Sequence, residues 1–521
     1  MKKNQTFNKS LKLLFKTSMF VLGGVLLSKI FTYAYRIIIA RHFGAEVYGR
    51  FSLALVILSW FTAISALGLP EGVLRFISIY RGRKQKNKIE KIRYLVRISS
   101  IILFFSTIII AVLSFLLSDF IALRIFHDPN LIIFLKVFSF MIPFSVFAVY
   151  FLSIMGSFEK IKQQSFIMDV LKGVVILASL VVLIAFGFNT NSIIISFFLG
   201  TLIIFLLSYL YCKYWFSEIF KKKNLKKQTL LTQNLISYSW PIMFFGIIST
   251  IFYSIDSFLL GYLKTTTEVG LYNAAVPIAL LLSLTPLLFL RLLLPMIIKE
   301  YSQKNFKLIK ELSKQVGKWV FMINFPIFLL IIVFPGAIIN ILGFGQEYLV
   351  AENSLRILVF GTLISSLFVI SQNLISMVGK SKTILIDLII TSVLNIVLNF
   401  LFIPRQSIIG IDNTLGINGA AIATVISIVF FNFLLMIQAN KYTGVIPVRR
   451  KMFRIFLIAL VPFFTLLYFR SIVSINYFSI IILIGIFFLL YTLLLFLFRA
   501  LDRNDLMILK AVKHRLSGLV K

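Results

Sequence analysis

Lys29, Tyr33 and Arg36 fall at positions i, i+4 and i+7 of the apolar stretch "SKIFTYAYRIIIA" (28–40), which puts all three on one helix face about two turns long. A charged side chain at mid-bilayer costs about 2.5–3.5 kcal/mol on insertion scales, so such a stripe has to face protein or a wet cavity. Ser249, Tyr253 and Asp256 repeat the spacing in a later apolar run, and further ionisable groups stand inside apolar runs at Lys136, Asp169, Lys172, Arg291, Arg356 and Asp387. Asp256 and Asp387 are carboxylates that could take up H+ or Na+. Asp256 could equally be an ion-pair partner for a buried cation. Asp169 and Lys172, spaced i, i+3, could neutralise each other.

The elements that carry these residues follow from composition. The 521-residue chain is 60% hydrophobic, far above the roughly 45–50% of soluble globules, and its mean hydropathy is +0.99. Apolar runs of about 20 residues recur along it, and lipid offers the backbone no hydrogen-bond partners, so each must be a helix. About fourteen transmembrane helices are expected, from 15–40 and 48–68 at the start, through 236–261 and 270–298, to 453–470 and 476–498 at the end. The fold class is an all-α integral membrane protein of the cytoplasmic membrane.

A net charge of +35 would point to nucleic acid in a soluble protein. Here the basic runs "RGRKQKNKIEKIR" (81–93), "KKKNLKK" (221–227), "KEYSQKNFKLIKELSKQ" (299–315) and "VRRKMFR" (448–454) all fall on one side of the predicted topology, with the tail after Arg499. The charge therefore reads as positive-inside orientation with both termini cytoplasmic and contact with membrane lipids, and no nucleic-acid partner is expected. Cys212 is the single cysteine, so no internal disulfide forms. His42, His127 and His514 lie in different segments, and no metal site is expected.

Shifting "SKIFTYAYRIIIARHFGAEVYGRFSLA" (28–54) by 221 positions lays it on "STIFYSIDSFLLGYLKTTTEVGLYNAA" (249–275), where Ser28, Ile30, Phe31, Gly49 and Ala54 meet identical residues. A small turn with an Asp recurs in "MGSFEKIKQQSFIMD" (155–169) and "VGKSKTILID" (378–387). The repeat implies two pseudo-symmetric six-helix lobes. The expected division is an N-terminal lobe at 1–215, a basic cytoplasmic linker at 216–235, a C-terminal lobe at 236–440, and two added helices with a basic cytoplasmic tail at 441–521. The polar stripes of the two leading helices would then meet across a hydrated cleft. The added helices either line a groove for a lipid tail or pad the second lobe.

Lys29 lies at mid-depth of its span, too far in to snorkel, whereas Arg36 is near enough the outer end for snorkelling to compete. Arg75, in "GLPEGVLRF" (68–76), could meet an anionic head group or anchor its helix at the inner face. Arg291 sits in "LLFLRLLLP" (287–295), surroundings so apolar that it is expected to face the cleft.

The ordered words "IARHFGAEVYGRFSLA" (39–54), "ALGLPEGVLRFIS" (66–78), "TEVGLYNAA" (267–275), "LGFGQEYLVAENSLRILVFG" (342–361), "LNIVLNFLFIP" (394–404) and "LGINGAAIATVIS" (415–427) resemble the polysaccharide flippases of the multidrug/oligosaccharidyl-lipid/polysaccharide exporter superfamily, including O-antigen and teichoic-acid exporters. The resemblance covers nearly the whole chain. It implies a translocator that moves a polyprenyl-diphosphate-linked oligosaccharide between leaflets by alternating access, with a glycan polymerase or glycosyltransferases as partners. Lys29 and Arg36 would then bind the diphosphate through charge-assisted hydrogen bonds, and Tyr33, Tyr253 and Asn273 would meet sugars. These choices rest on helix geometry and charge, since no residue is carried over from the family as a ligand.

No G-x-x-x-x-G-K-[ST] loop is present, because "GKS" at 379–381 has Leu374 where the first glycine is required. No ATP or other cofactor is expected, which leaves an ion gradient or the membrane potential, with Asp256, Asp387 and Asp169 as coupling or gate residues. Short outer loops, and the lack of G-x-S-x-G and H-E-x-x-H words, argue against an enzyme. A lipid II-type flippase or an ion-coupled drug antiporter is the alternative reading.

Overall fold

The computed structural model describes residues 2–82, 87–221, 228–303, 305–404, 416–472, 477–498 and 500. The predicted basic runs at 222–227 and 501–521 therefore lie outside the described residues. Helices α1 to α10 are Lys2–Ser65, Leu69–Gly82, Lys88–Phe120, Leu131–Ser157, Ile161–Ser165, Lys172–Ala185, Asn191–Trp215, Ser217–Phe220, Thr229–Phe252 and Ile255–Leu263. Helices α11 to α19 are Thr266–Ala279, Leu284–Ser302, Phe306–Val333, Pro335–Ile341, Glu352–Met377, Ser381–Phe402, Ile417–Thr443, Arg450–Ile472 and Tyr477–Leu497. Short π-helical segments at Ile121–Ile125 and Phe166–Leu171, and a 3-10 turn at Leu280–Ser283, interrupt the α-helical pattern. The described residues contain no strand.

Thirteen helices among the described residues are long and apolar enough to cross a membrane. The first of them, Gly23–Ser65, has 43 residues, roughly twice what one crossing needs. It is broken at Gly44, whose φ of 80° lies in the left-handed region that a residue without Cβ enters at no steric cost. The two halves correspond to the first two expected spans, which reconciles thirteen helices with fourteen crossings.

Two expected spans differ from the continuous helices of the sequence reading. The run 236–261 divides into α9 and α10 at Tyr253 and Ser254. There the Ser254 hydroxyl bonds back to the Thr250 carbonyl at 2.6 Å and accepts from Trp60 Nε1 at 2.7 Å, the kind of local side-chain bond that competes with helical geometry. The run 270–298 is divided by the 3-10 turn after Pro277, which lacks the N–H that the ladder needs.

The chain forms two compact units. The first comprises Met1–Ala274, Gly343–Tyr348 and Leu388–Thr424. In it α4 packs on α3 and α7, and α1 on α4 and α6. Its interior is aromatic, with Phe51, Phe138 and Phe197 in mutual ring contact. Tyr35 joins them edge-on and donates its hydroxyl to the Ile193 carbonyl at 3.0 Å. In lipid, helices associate through close packing at small residues. Gly200 accordingly leaves room for Ile176, and Gly72 for Ser239.

The second unit comprises Ala275–Leu342, Leu349–Asp387 and Val425–Lys521. Its centre is α13, against which α12, α15 and α18 pack. Ile309, Val320, Ile370 and Leu374 are fully buried there. The last two helices are fastened to the same α13: Phe456 meets Phe325 with ring centroids 5.4 Å apart, and Tyr491 donates its hydroxyl to the Met322 carbonyl at 2.9 Å.

Candidate functional site

Asp256 stands in the first turn of α10, immediately after the break at Ser254, and is 6% exposed. Tyr272 on α11 donates its hydroxyl to Asp256 Oδ2 at 3.1 Å. Asn395 and Asn399 on α16 and Thr424 on α17 lie close enough to act on the same carboxylate. Full hydrogen-bond geometry is not reached at every atom: Asp256 Oδ1, Asn399 Oδ1, Thr424 Oγ1 and Asn395 Nδ2 are buried without a partner at hydrogen-bond distance and angle. Asn399 Nδ2 is engaged by Asn395, at 2.9 Å from its carbonyl and 2.6 Å from its Oδ1. Leaving a buried polar atom unsatisfied costs about 1–3 kcal/mol, and such atoms are rare. Two unsatisfied oxygens beside the carboxylate's own Oδ1 offer the ligand type that a hard cation takes, or a place for a transferable proton.

The cationic stripe lies on the first half of α1. Lys29 is exposed, while Tyr33 and Arg36 are half-buried. The Lys29 and Arg36 charges are near enough to repel each other, and Arg36 acts on Tyr33 as well. Arg36 Nη1 also donates to the Tyr48 hydroxyl at 3.5 Å. The helical spacing thus brings these three residues together as expected.

The other expected site residues are distributed more widely. Tyr253 caps α9 and is 67% exposed. Because the helix breaks there, Ser249, Tyr253 and Asp256 do not share one continuous helical face. Asn273 uses its amide on Ser257 Oγ at 2.9 Å and on the Val269 carbonyl at 3.0 Å. Arg75, on α2, lies 4.0 Å over the Tyr238 ring of α9. The Arg291 side chain falls outside the described residues. Asp169 accepts from Ser165 Oγ at 2.5 Å, and Lys172 lies 5.7 Å from the Phe197 ring centroid. Asp169 and Lys172 are thus each seen with another partner, and Asp169 lies in the π-helical segment Phe166–Leu171 that ends just before Lys172. Asp387, in the second unit, is buried beside Gln438. Lys136 pairs with Asp119 at 2.9 Å, and Arg356 with Glu352 at 3.6 Å.

The sequence reading missed Tyr48, Tyr272, Asn395, Asn399 and Thr424 as site residues. Two asparagines at i, i+4 in "LNIVLNFLF" (394–402) were a usable signal, since their amides share a face of an otherwise apolar helix. Arg50 was also missed. Its Nε donates to Asp128 Oδ2 at 2.7 Å, and it pairs with Glu46 as well.

The model of a family described as polysaccharide biosynthesis protein matches residues 14–300, more than half of the chain. The chain belongs to this family. A second family model, MatE, matches residues 241–401 of this polysaccharide biosynthesis family member. Over 241 residues the chain is 31% identical to an uncharacterized membrane protein of Methanocaldococcus jannaschii, a match spanning 46% of each chain and so about half of that relative's length. It is 22% identical over 353 residues to a putative O-antigen transporter of Shigella flexneri, covering 66% of this chain and 80% of the relative. Its fold is similar to that of the lipid II flippase MurJ in an inward closed conformation, with a TM-score of 0.72 and 17% identity, over 94% of this chain and 100% of MurJ. The protein is thus a multi-pass membrane protein with the fold of the multidrug/oligosaccharidyl-lipid/polysaccharide exporter superfamily.

Proposed function

We propose that the protein flips a polyprenyl-diphosphate-linked oligosaccharide from the inner to the outer leaflet of the cytoplasmic membrane by alternating access, for cell-surface polysaccharide synthesis. The observation that carries this reading is the pairing of Lys29 with Arg36 on one face of a membrane-spanning helix. Two cations held together against their repulsion are stabilised by an anion, and a diphosphate supplies two or more charges and several acceptor oxygens. The guanidinium of Arg36 suits a bidentate contact, and the ammonium of Lys29 acts as a point charge.

The lobes would be 1–215 and 236–440, with the basic segments at the cytoplasmic face. Tyr33 and the exposed Tyr253 are proposed sugar contacts, and Arg75 and Arg291 further cations for the head group. The oxygens around Asp256 are proposed to bind the coupling ion, H+ or Na+, with Asp387 and Asp169 as secondary carboxylates. Glycosyltransferases would supply the lipid-linked glycan and a polymerase would consume it. This assignment is transport without covalent chemistry.

The test is flipping in proteoliposomes that carry a fluorescent polyprenyl-diphosphate oligosaccharide, read by outer-leaflet quenching. The intact protein is expected to flip the lipid, and Lys29→Gln/Arg36→Gln to abolish flipping while remaining folded. Equal flipping by both would remove the two cations from the site. The MatE match at residues 241–401 favours small-molecule antiport as the second reading; transport of organic cations without any lipid flipping would establish it.

A further inference from the structure

Pro277 lies inside α11 and has no N–H. The carbonyl of Asn273, four residues earlier, is therefore deprived of its helical donor. The Tyr48 hydroxyl supplies one, at 3.0 Å. Tyr48 is fully buried, and its ring packs against Phe344 and Tyr348 at centroid distances of 6.3 and 6.5 Å, in a cluster where those two rings also touch each other. Its hydroxyl oxygen accepts from Arg36 Nη1 at 3.5 Å while its proton goes to the Asn273 carbonyl. On the other side, α11 grips the start of α10 twice: Asn273 Nδ2 donates to Ser257 Oγ at 2.9 Å, and Tyr272 donates to Asp256 Oδ2 at 3.1 Å. A line of hydrogen bonds thus runs from Arg36 through Tyr48 and Asn273 to the residue beside Asp256. One residue beyond Tyr48, Gly49 touches the α11 backbone so closely that a Cβ there would lie 1.7 Å from the Thr266 carbonyl oxygen. With no slack at that contact, a movement of α11 is transmitted to α1.

We propose that Tyr48 is a positioning residue that couples the cation stripe to the polar cluster at Asp256. The inference rests on the reading that Arg36 binds a diphosphate and Asp256 a coupling ion. An ion at Asp256 competes with Tyr272 for the carboxylate and loosens the grip of α11 on α10. The Asn273 carbonyl then shifts, Tyr48 follows it, and Arg36 is freed to reach its ligand. By linkage, a diphosphate on Arg36 tightens ion binding at Asp256 by the same factor.

The experiment uses the full-length protein in lipid nanodiscs, titrated with a polyprenyl diphosphate as probe. Binding is compared in Na+ and in choline at equal ionic strength, and at acidic and neutral pH without Na+. The native protein is expected to bind the probe about fivefold or more tightly with the coupling ion than without it, and Tyr48→Phe to bring that ratio to about one. The ratio is the informative quantity because a change in ion-free affinity cancels in it. Pro277→Ala gives the Asn273 carbonyl a helical donor that competes with Tyr48, so it is expected to shrink the ratio too, and it carries the test if Tyr48→Phe does not fold. A native ratio of one, or a native ratio retained in both variants, overturns the coupling and leaves the flippase reading intact. No probe binding by the native protein overturns that reading and the coupling together.

Discussion

Gly49 and Gly270 meet reciprocally: a Cβ on Gly49 would lie 1.7 Å from the carbonyl oxygen of Thr266, and a Cβ on Gly270 would lie 1.9 Å from that of Ala45. Each glycine of the pair, and each carbonyl, is offset from its counterpart by the 221 positions of the internal repeat. The repeat is therefore expressed in space as a local two-fold crossing of α1 and α11, with the two backbones in direct contact. Such small-residue crossings are how helices in lipid gain close packing.

Gly270→Ala and Gly49→Ala are each expected to force those backbones apart. Overpacking of this kind costs about 1–3 kcal/mol, and because the obstacle is main chain the upper end is expected. Gly246→Ala, where a Cβ meets nothing within 4 Å, is the matched control. Thermal unfolding in detergent checks the prediction: a clear drop in Tm for the two crossing glycines and little change for the control.

Asp256→Asn removes the charge from the oxygen cluster while keeping its shape. Under the proposed function, flipping by this variant no longer responds to the Na+ or proton gradient, and the protein stays folded. Ion dependence equal to that of the native protein would exclude Asp256 as the coupling carboxylate.

Arg36→Lys keeps the charge but loses the bidentate fork, whereas Lys29→Arg keeps a cation at a position that needs only charge. A lost hydrogen bond to a charged group is worth about 1.5–3 kcal/mol, so Arg36→Lys is expected to slow flipping by about tenfold or more. Lys29→Arg is expected to flip at close to the native rate. Initial rates in the proteoliposome assay distinguish the two.

The Arg50 and Asp128 side chains are only 12% and 9% exposed. Arg50→Met leaves the Asp128 carboxylate buried and unpaired, a change that costs up to about 3–5 kcal/mol. The double variant Arg50→Met/Asp128→Asn is expected to lose less than the sum of the single changes, because the second substitution removes the stranded charge. Unfolding midpoints of the three variants and the native protein close the cycle.

The sequence by itself determined the membrane class, the spans and the stripe of Lys29, Tyr33 and Arg36. Lipid leaves the backbone no option but long apolar helices, so their positions are written in local composition, and residues at i, i+4 and i+7 share a face wherever such a helix runs unbroken. The repeat that pairs Gly49 with Gly270 was equally legible as an alignment. Only the tertiary structure decided what those residues touch. Asp256 finds Asn395 and Asn399 of α16 and Thr424 of α17, and hydropathy carries no information about which helices contribute to one site. Tyr253 and Asp256 part because a serine hydroxyl and a tryptophan from α1 outweigh the apolar periodicity of the run. Tyr48 matters because a proline in another helix strands a carbonyl opposite it, and a bond of that kind depends on the crossing of two backbones.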